Sequence, residues 1–395
     1  MVLEISLANN WEKYQEIRQD WIDLLGRTAH AKPFSDPDFC QLWVKRREKY
    51  PSQPHVVTLN NNQGMAVALA PFCVTTTKKK GIRIKRLRFM VSTPYFDSDL
   101  VPENLNQGYT ENMLRNALRN RSVDIVELYS IPRESANLPR IEKALKNMGL
   151  STQVYHQDPW KNDKIQVTGT WEEYLAEKSQ QNRYNLRRTA RKIEKNGDIE
   201  IERHRDLKPG TMDHITQIVK GGWKNASEYS TKGFWREFIK LLDRKQWLDL
   251  FLLRYDQKPA AFLLFLRYRS TMYAIQTAYD SVLSRYSPGV YLIQKAIERT
   301  FNQPEGITEI DFLTHYPHTA RFSNQTGTRL KIRGFPKKPR SRLLSMGFRI
   351  RSRIRETRGK KTVQYPTTRQ VLEHLDHLEN QEHEENLRHR EPLDQ

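Results

Sequence analysis

The chain has 395 residues, enough for about two domains of ordinary size, and only 37% of them are hydrophobic against 28% charged, so polar segments must be appended to folded domains. A net charge of +20 favours anionic partners such as nucleic acid, anionic lipid or phosphorylated substrates. Two cysteines, Cys40 and Cys73, exclude a disulfide framework and a thiolate zinc site, and their apolar contexts suit buried thiols in a reducing cytoplasm.

The first residues lack a basic stretch followed by an apolar one, so no secretory signal is expected. The longest apolar run, Ala260–Leu266, falls far short of the roughly 20 residues of a membrane span and reads as a buried strand. The expected location is the cytoplasm, or the inner-membrane surface on that side.

Apolar residues at Trp11, Tyr14, Ile17, Trp21, Leu24 and Leu25 fall at helical spacing and predict one helix over Trp11–Leu25. Pro33 and Pro37 break the chain before a helix at Phe39–Tyr50. Strands are expected at His55–Asn60, Met65–Thr76 and Ile82–Phe89, the first two joined by the turn Asn60–Gly64. A helix Met113–Arg119, a buried strand Val123–Tyr129 and a helix Leu138–Met148 ending at Gly149 follow.

A similar order then returns. Thr170 and Glu173 read as a capping box, and a basic helix covers Ser179–Lys195. Helices His214–Trp223 and Phe234–Leu242 precede three strands, Trp247–Tyr255, Lys258–Tyr268 and Met272–Tyr279, with Asp256-Gln257 as a hairpin turn. A helix Gly289–Phe301 and a strand Glu309–Leu313 complete the series. Helices, an antiparallel meander and then strand–helix–strand make an α/β (α+β) mixed sheet, and the repeated order implies a duplication. The expected division is 1–158, 159–335 and a tail over 336–395. Arg329–Lys361 holds fourteen Lys and Arg against one acid, and Val371–Gln395 holds eight acids against two Arg, blocks that are usually solvated or disordered. Leu343, Met346, Ile350 and Ile354 share one helical face among arginines, so residues 340–358 suit an amphipathic helix on an anionic membrane, a nucleic-acid-binding arm, or a solvated extension.

The sharpest local feature is the strand ending at Tyr279-Asp280 followed by Ser287-Pro288-Gly289 at a helix start. Ser is a favoured N-cap, Pro suits the first helical position, and Gly289 admits a ligand close to the backbone. Free N–H groups there, with Arg285 beside them, suit a pyrophosphate, although an ordinary capped start uses the same residues.

With Asp311-Phe312-Leu313 downstream, this order resembles the GNAT-type acetyltransferase domain of CelD-like cellulose-biosynthesis proteins, relatives of the Fem peptidoglycan transferases. Pro33-Phe34 with Trp43, Tyr95–Asp99, Trp171–Leu175, Asn182–Arg188, Trp223-Lys224 and Lys258–Ala261 resemble stretches of that family in the same order, over roughly residues 10–325. The family continues Asp-Phe-Leu with a Gly and a Tyr-Lys pair, whereas this chain reads Thr314-His315-Tyr316-Pro317-His318 with Arg321 nearby. The resemblance implies GNAT-like mixed sheets flanked by helices, in two tandem GNAT-like halves, with an acyl-CoA (acetyl-CoA) donor and an amine acceptor that is a small molecule or glycan of the cell envelope or an exopolysaccharide. The Fem branch uses aminoacyl-tRNA instead, and a non-catalytic GNAT-fold protein that binds lipid or nucleic acid is the third reading. The oligomeric state stays open.

Amide formation from a thioester needs an amine stripped of its proton, a polarised carbonyl and a positioned pair. Asp311 is the first candidate base and Asp280 the second, although either residue type also caps loops or pairs with Arg. Tyr279 and Tyr316 are candidates to protonate the leaving thiolate. Arg285, Ser287, Pro288 and Gly289 are the donor-binding candidates. Arg183, Arg187 and Arg191 share a helix face that is either solvated or a cationic wall for an acidic acceptor, and the resemblance adds Trp223 and Asp97 as acceptor-binding candidates. No metal motif, Gly-x-Ser-x-Gly elbow or P-loop is present in the folded part.

Overall fold

The computed structural model describes residues 4–358 except 47–51, 80–81, 103–104, 120–122, 223, 225–228 and 230–232. The first part of the chain runs β1 (Glu4–Ala8), α1 (Trp11–Glu16), α2 (Arg18–Arg27), α3 (Pro37–Lys45), β2 (Ser52–Pro54), β3 (Val56–Asn60), β4 (Ala66–Ala70), β5 (Phe72–Lys79), β6 (Ile82–Phe89), α4 (Gln107–Arg119), β7 (Ile125–Pro132) and α5 (Asn137–Asn147). The second runs β8 (Ser151–Gln166), α6 (Trp171–Ala176), α7 (Gln180–Glu194), β9 (Ile199–His204), α8 (Thr211–Gly221), α9 (Phe234–Arg244), β10 (Leu248–Tyr255), β11 (Lys258–Tyr268), β12 (Thr271–Tyr279), α10 (Pro288–Asn302), β13 (Glu309–Asp311), α11 (Pro317–Ala320), β14 (Gln325–Phe335) and α12 (Pro339–Arg358). Met1–Leu344 form one compact unit, and the described part of the other, Ser345–Gln395, is helical.

The architecture is the expected mixed α/β one. A small sheet has the order β1-β3-β4, and an 11-stranded sheet has the order β2-β5-β6-β7-β14-β8-β13-β12-β11-β10-β9. The order contains a repeat. In each half an antiparallel pair (β5/β6, β11/β12) leads through a helix (α4, α10) to a strand parallel to its predecessor (β7, β13). The next strand of each half then crosses over: β14 pairs with β7 and β8 pairs with β13, while β8 and β14 pair with each other at the centre. Two duplicated halves thus exchange their closing strands.

Local chemistry explains most elements. The Thr170–Glu173 capping box forms, with Thr170 N–H donating to the Glu173 carboxylate at 2.8 Å. Asp256 and Gln257 both adopt positive φ (48° and 65°), the twist that a two-residue hairpin requires. The expected helix Trp11–Leu25 is instead α1 and α2, hinged at Ile17. The expected strand Met65–Thr76 is also two: Pro71, which has no N–H for the ladder, separates β4 of the small sheet from β5 of the large one.

The largest correction concerns Arg329–Phe335, the start of the basic block Arg329–Lys361 that was expected to be solvated. These residues belong to β14, which lies at the centre of the large sheet. Leu330 and Ile332 point into the core beneath α4 and α5, and Arg329 is 1% exposed on the opposite face. An aromatic core joins the halves through residues of the Pro33-Phe34…Trp43 stretch: Phe34 meets Tyr273 (4.9 Å), Phe39 meets Phe238 (5.5 Å) and Trp43 meets Phe234 (5.5 Å). Each such pair contributes about 0.5–1.5 kcal/mol beyond area burial. Arg269, at the β11–β12 turn, adds a polar tie by donating to the Leu25 carbonyl at the C-terminus of α2 (2.8 Å).

Candidate active site

Strands β12 and β13 run parallel only over Thr271–Tyr273 and Glu309–Asp311. β12 then continues beside β11 until Tyr279 stands opposite Ala261. The chain after Asp311 follows β8 instead: Phe312 N–H donates to the Asp163 carbonyl and Asp163 N–H to the Thr314 carbonyl, both at 2.9 Å. The two strands therefore part and form a fork. A bulge at Ile275, between Ala274 opposite Phe265 and Gln276 opposite Leu264, re-aims the β12 side chains just beyond the parting point.

Beyond the β12 arm, a 3-10 turn over Ser281–Tyr286 leads into α10. Asp280 caps that turn, its carboxylate accepting from Val282 N–H at 3.0 Å. Pro288 occupies the first turn of α10 as expected, but Ser287 is not a side-chain cap. It sits at φ 54° and its carbonyl accepts from Val290 and Tyr291 N–H at 3.1 Å. Gly289 is a close-approach position, because a Cβ there would stand 3.3 Å from Tyr279 Cδ1. Arg285 is exposed with its guanidinium 4.7 Å from the Tyr286 ring centre, and Lys192 of α7 reaches within 5.9 Å of the same ring. Two cations thus flank the start of α10.

Beneath the fork lies a buried charge cluster that brings together two of the sequence candidates. Asp311, wholly buried, accepts from Asn162 Nδ2 on both oxygens (2.9 and 2.8 Å) and from Leu313 N–H (2.6 Å). Arg329 donates through Nε to Asp97 and through Nη1 to the Leu313 carbonyl (2.9 Å), and its Nη2 stands 3.8 Å from Asp311. Burial raises the Asp311 carboxyl against the pull of Arg329 and Lys164. Burial would also raise Asp97, but Arg329 and Lys32 outweigh it and hold that carboxyl below the ordinary range. Asp311 and Asp97 therefore anchor Arg329 of the exchanged strand, and Asp311 itself is wholly buried.

Sequence reasoning missed the neighbouring dyad. His315 Nδ1 lies 2.6 Å from Asp163 Oδ1, and Thr319 donates to Asp163 Oδ2 at 2.6 Å. Asp163 is buried, whereas the His315 side chain is 32% exposed. A carboxylate only accepts, so Nδ1 carries the hydrogen, and in the neutral ring Nε2 then has the lone pair, the arrangement of an oriented general base. The signal lay in plain view, since Thr314-His315-Tyr316 stands where the family has other residues, but Asp163 lies 152 positions away and only the β8–β13 pairing joins them. On the β12 arm, Lys224 Nζ donates to the Gln276 side chain, and burial pushes its ammonium down to about 7.

Of the acceptor candidates, Arg183 donates to the Ala176 (3.0 Å) and Lys178 (2.5 Å) carbonyls and so ties the α6–α7 connection. Arg187 is exposed, and Trp223 lies outside the described residues. Among the described residues no cluster of His, Cys, Asp or Glu could hold a metal ion, and no helix is long and apolar enough to cross a membrane.

Residues 180–320 match the family model of the acetyltransferase (GNAT) domain. That stretch of the second half is thus similar to a GNAT domain. The matched span contains the fork, α10 and His315. No curated protein matches the chain. Among solved structures, FemX aligns over 82% of this chain and 98% of its own with a TM-score of 0.55 at 10% identity, a likeness of fold. A conserved protein from Bacteroides thetaiotaomicron (TM-score 0.49, 11% identity, 84% of this chain and 100% of that one) and a tandem GNAT protein from the clavulanic acid biosynthesis pathway (0.44, 11%, 84% and 98%) are also similar.

Proposed function

We propose that this protein is an N-acyltransferase that moves an acyl group from acyl-CoA to an amine. The observation that carries the reading is the fork: parallel strands that part, a bulge beyond the parting, and a 15-residue helix starting beside one arm with Arg285 and Lys192 at its head. A helix start with two cations suits the pyrophosphate of the donor, and the gap between the arms suits its extended pantetheine. In the reaction the amine nitrogen bonds to the thioester carbonyl carbon and the carbon–sulfur bond breaks. The amine proton passes to His315 Nε2, with Asp163 fixing the ring. Lys224, whose ammonium titrates near 7, supplies the proton that the departing thiolate takes up.

The motif order shared with CelD-like and Fem proteins supports an acceptor amine on a cell-envelope or exopolysaccharide precursor, handled in the cytoplasm. Leu343 at the start of α12 is 70% exposed beside the exposed Arg340 and Arg342, which favours contact with an anionic membrane surface. Calorimetric titration with acetyl-CoA, longer acyl-CoAs and tRNA tests the donor. Saturable acyl-CoA binding is expected, weakened about tenfold when Arg285 and Lys192 are both changed to Glu. Salt-sensitive tRNA binding without any CoA binding would replace the donor by an aminoacyl-tRNA.

A further inference from the structure

A second concentration of positive charge lies in the first half, away from the fork. β6 carries Arg86 and Arg88 on the face opposite Leu87, and β14 carries Lys331 and Arg333 on the face opposite Leu330 and Ile332. Three guanidiniums converge on one carboxylate. Glu127 of β7 lies 2.6 Å from Arg88, 2.7 Å from Arg333 and 3.8 Å from Arg86. Burial would raise Glu127, but Arg88 and Arg333 outweigh it and hold the carboxyl at about 2, so it carries a full negative charge at neutral pH. Among the described residues these three guanidiniums share Glu127, and burial and then Arg88 lower the Arg86 guanidinium from its ordinary value. Arg88 Nε is buried with no hydrogen-bond partner, a donor left over in an otherwise paired neighbourhood. The site has an aromatic wall, because Tyr129 stacks on Trp160 at 5.5 Å and Lys331 Nζ lies 4.6 Å from the Tyr129 ring centre. Arg86, Arg88 and Arg333 keep 14%, 21% and 12% of their side-chain surface exposed, so they are reachable yet shielded enough for charge to count.

We propose that this face of the first half binds a compact oxyanion of the phosphate class, held by Arg86, Arg88 and Lys331 against the Tyr129–Trp160 wall. Guanidinium forks match the paired oxygens of phosphate, and a doubly charged anion brings the cluster close to neutrality. The site is separate from the start of α10 and does not depend on the acyl-transfer reading.

The test is calorimetry on the full-length protein with inorganic phosphate and pyrophosphate, and sedimentation with phosphatidate vesicles. Arg88→Lys removes the fork geometry but keeps the charge, and the half-buried Lys331→Gln variant guards against misfolding by Arg88→Lys, its melting temperature serving as the check. Saturable binding weakened about tenfold by either variant and unchanged by Arg285→Glu is expected. Binding of pyrophosphate identifies a free anion and binding of vesicles alone a lipid headgroup, either one supporting the site. Failure of every probe, or binding that Arg285→Glu removes while Lys331→Gln leaves it intact, would overturn the proposal.

Discussion

The two halves contain the same fork and treat it in opposite ways. In the first, β6 and β7 pair in parallel at Arg86–Ile125 and Leu87–Val126, and the chain leaving β6 then doubles back against β7. Ser98 N–H donates to the Ser130 carbonyl at 3.0 Å, Ser130 Oγ donates to the Thr93 carbonyl, and Val101 forms a two-way bridge with Leu69 at 2.8 Å. Asn137, wholly buried, fastens this segment by donating to Asp99 (3.1 Å) and the Pro102 carbonyl (3.0 Å) and accepting from Leu105 N–H (3.1 Å). In the second half the corresponding connection between β12 and α10 is one 3-10 turn, Ser281–Tyr286, and the arm beyond β13 carries His315. A duplicated frame thus fills one gap with structure and leaves the other for the proposed chemistry, and what decides is the length and polarity of the segment after the first parallel strand.

That contrast makes the residues separable by experiment. His315→Gln should cut the turnover number of transfer by about 10²–10⁴-fold, because a positioned base is worth that much, while the Michaelis constant for the donor and the melting temperature hold. Steady-state kinetics beside thermal denaturation checks this, and an unchanged turnover number would remove His315 from the reaction.

Arg329 is the next largest effect, and here the prize is stability. Arg329→Met leaves Asp97 and Asp311 buried without their shared partner, and loss of one member of such a cluster costs about 3–5 kcal/mol. Urea unfolding of the variant measures it. Asn137→Ala should cost about 2–3 kcal/mol through the buried acceptors and the Leu105 N–H left unmet in the filled fork, with transfer kinetics intact. A loss of turnover in Asn137→Ala without loss of stability would show that the filled fork also serves the reaction.

These residues also mark what could be read from the sequence. Helical spacing, hairpin turns and the Ser-Pro-Gly helix start act within a few residues, so the meander β10–β12, α10 and the capping box at Thr170 were legible. The exchanged strands were not. β14 alternates Leu330 and Ile332 with Arg329, Lys331 and Arg333, a period-two pattern that resembles a solvated basic block because its neutralising carboxylates, Asp97, Asp311 and Glu127, come from other parts of the chain. The site divided in the same way. Arg285 just before α10 and Gly289 in its first turn are placed by local chain geometry, whereas the His315–Asp163 dyad exists only because β8 crosses from one half to the other.

Lys224 offers the smallest effect and the finest test of the open fork. Its ammonium titrates at about 7 in the folded protein, against about 10.4 for a lysine in the unfolded chain. Between those values the unfolded chain holds a proton that the folded protein has released, so this group makes stability rise with pH across the window, by at most about 1.4 kcal/mol per unit. Below about 7 both states are protonated and its slope vanishes. Lys224→Met should therefore show a flatter rise of unfolding free energy from neutral to alkaline pH than the wild type does. It should also shift the alkaline limb of the transfer rate, since above neutrality wild-type Lys224 no longer holds the proton that the thiolate needs. Equal slopes in both proteins would mean that Lys224 stays solvated and charged, and the proton donor would then have to be sought on the arm that carries His315.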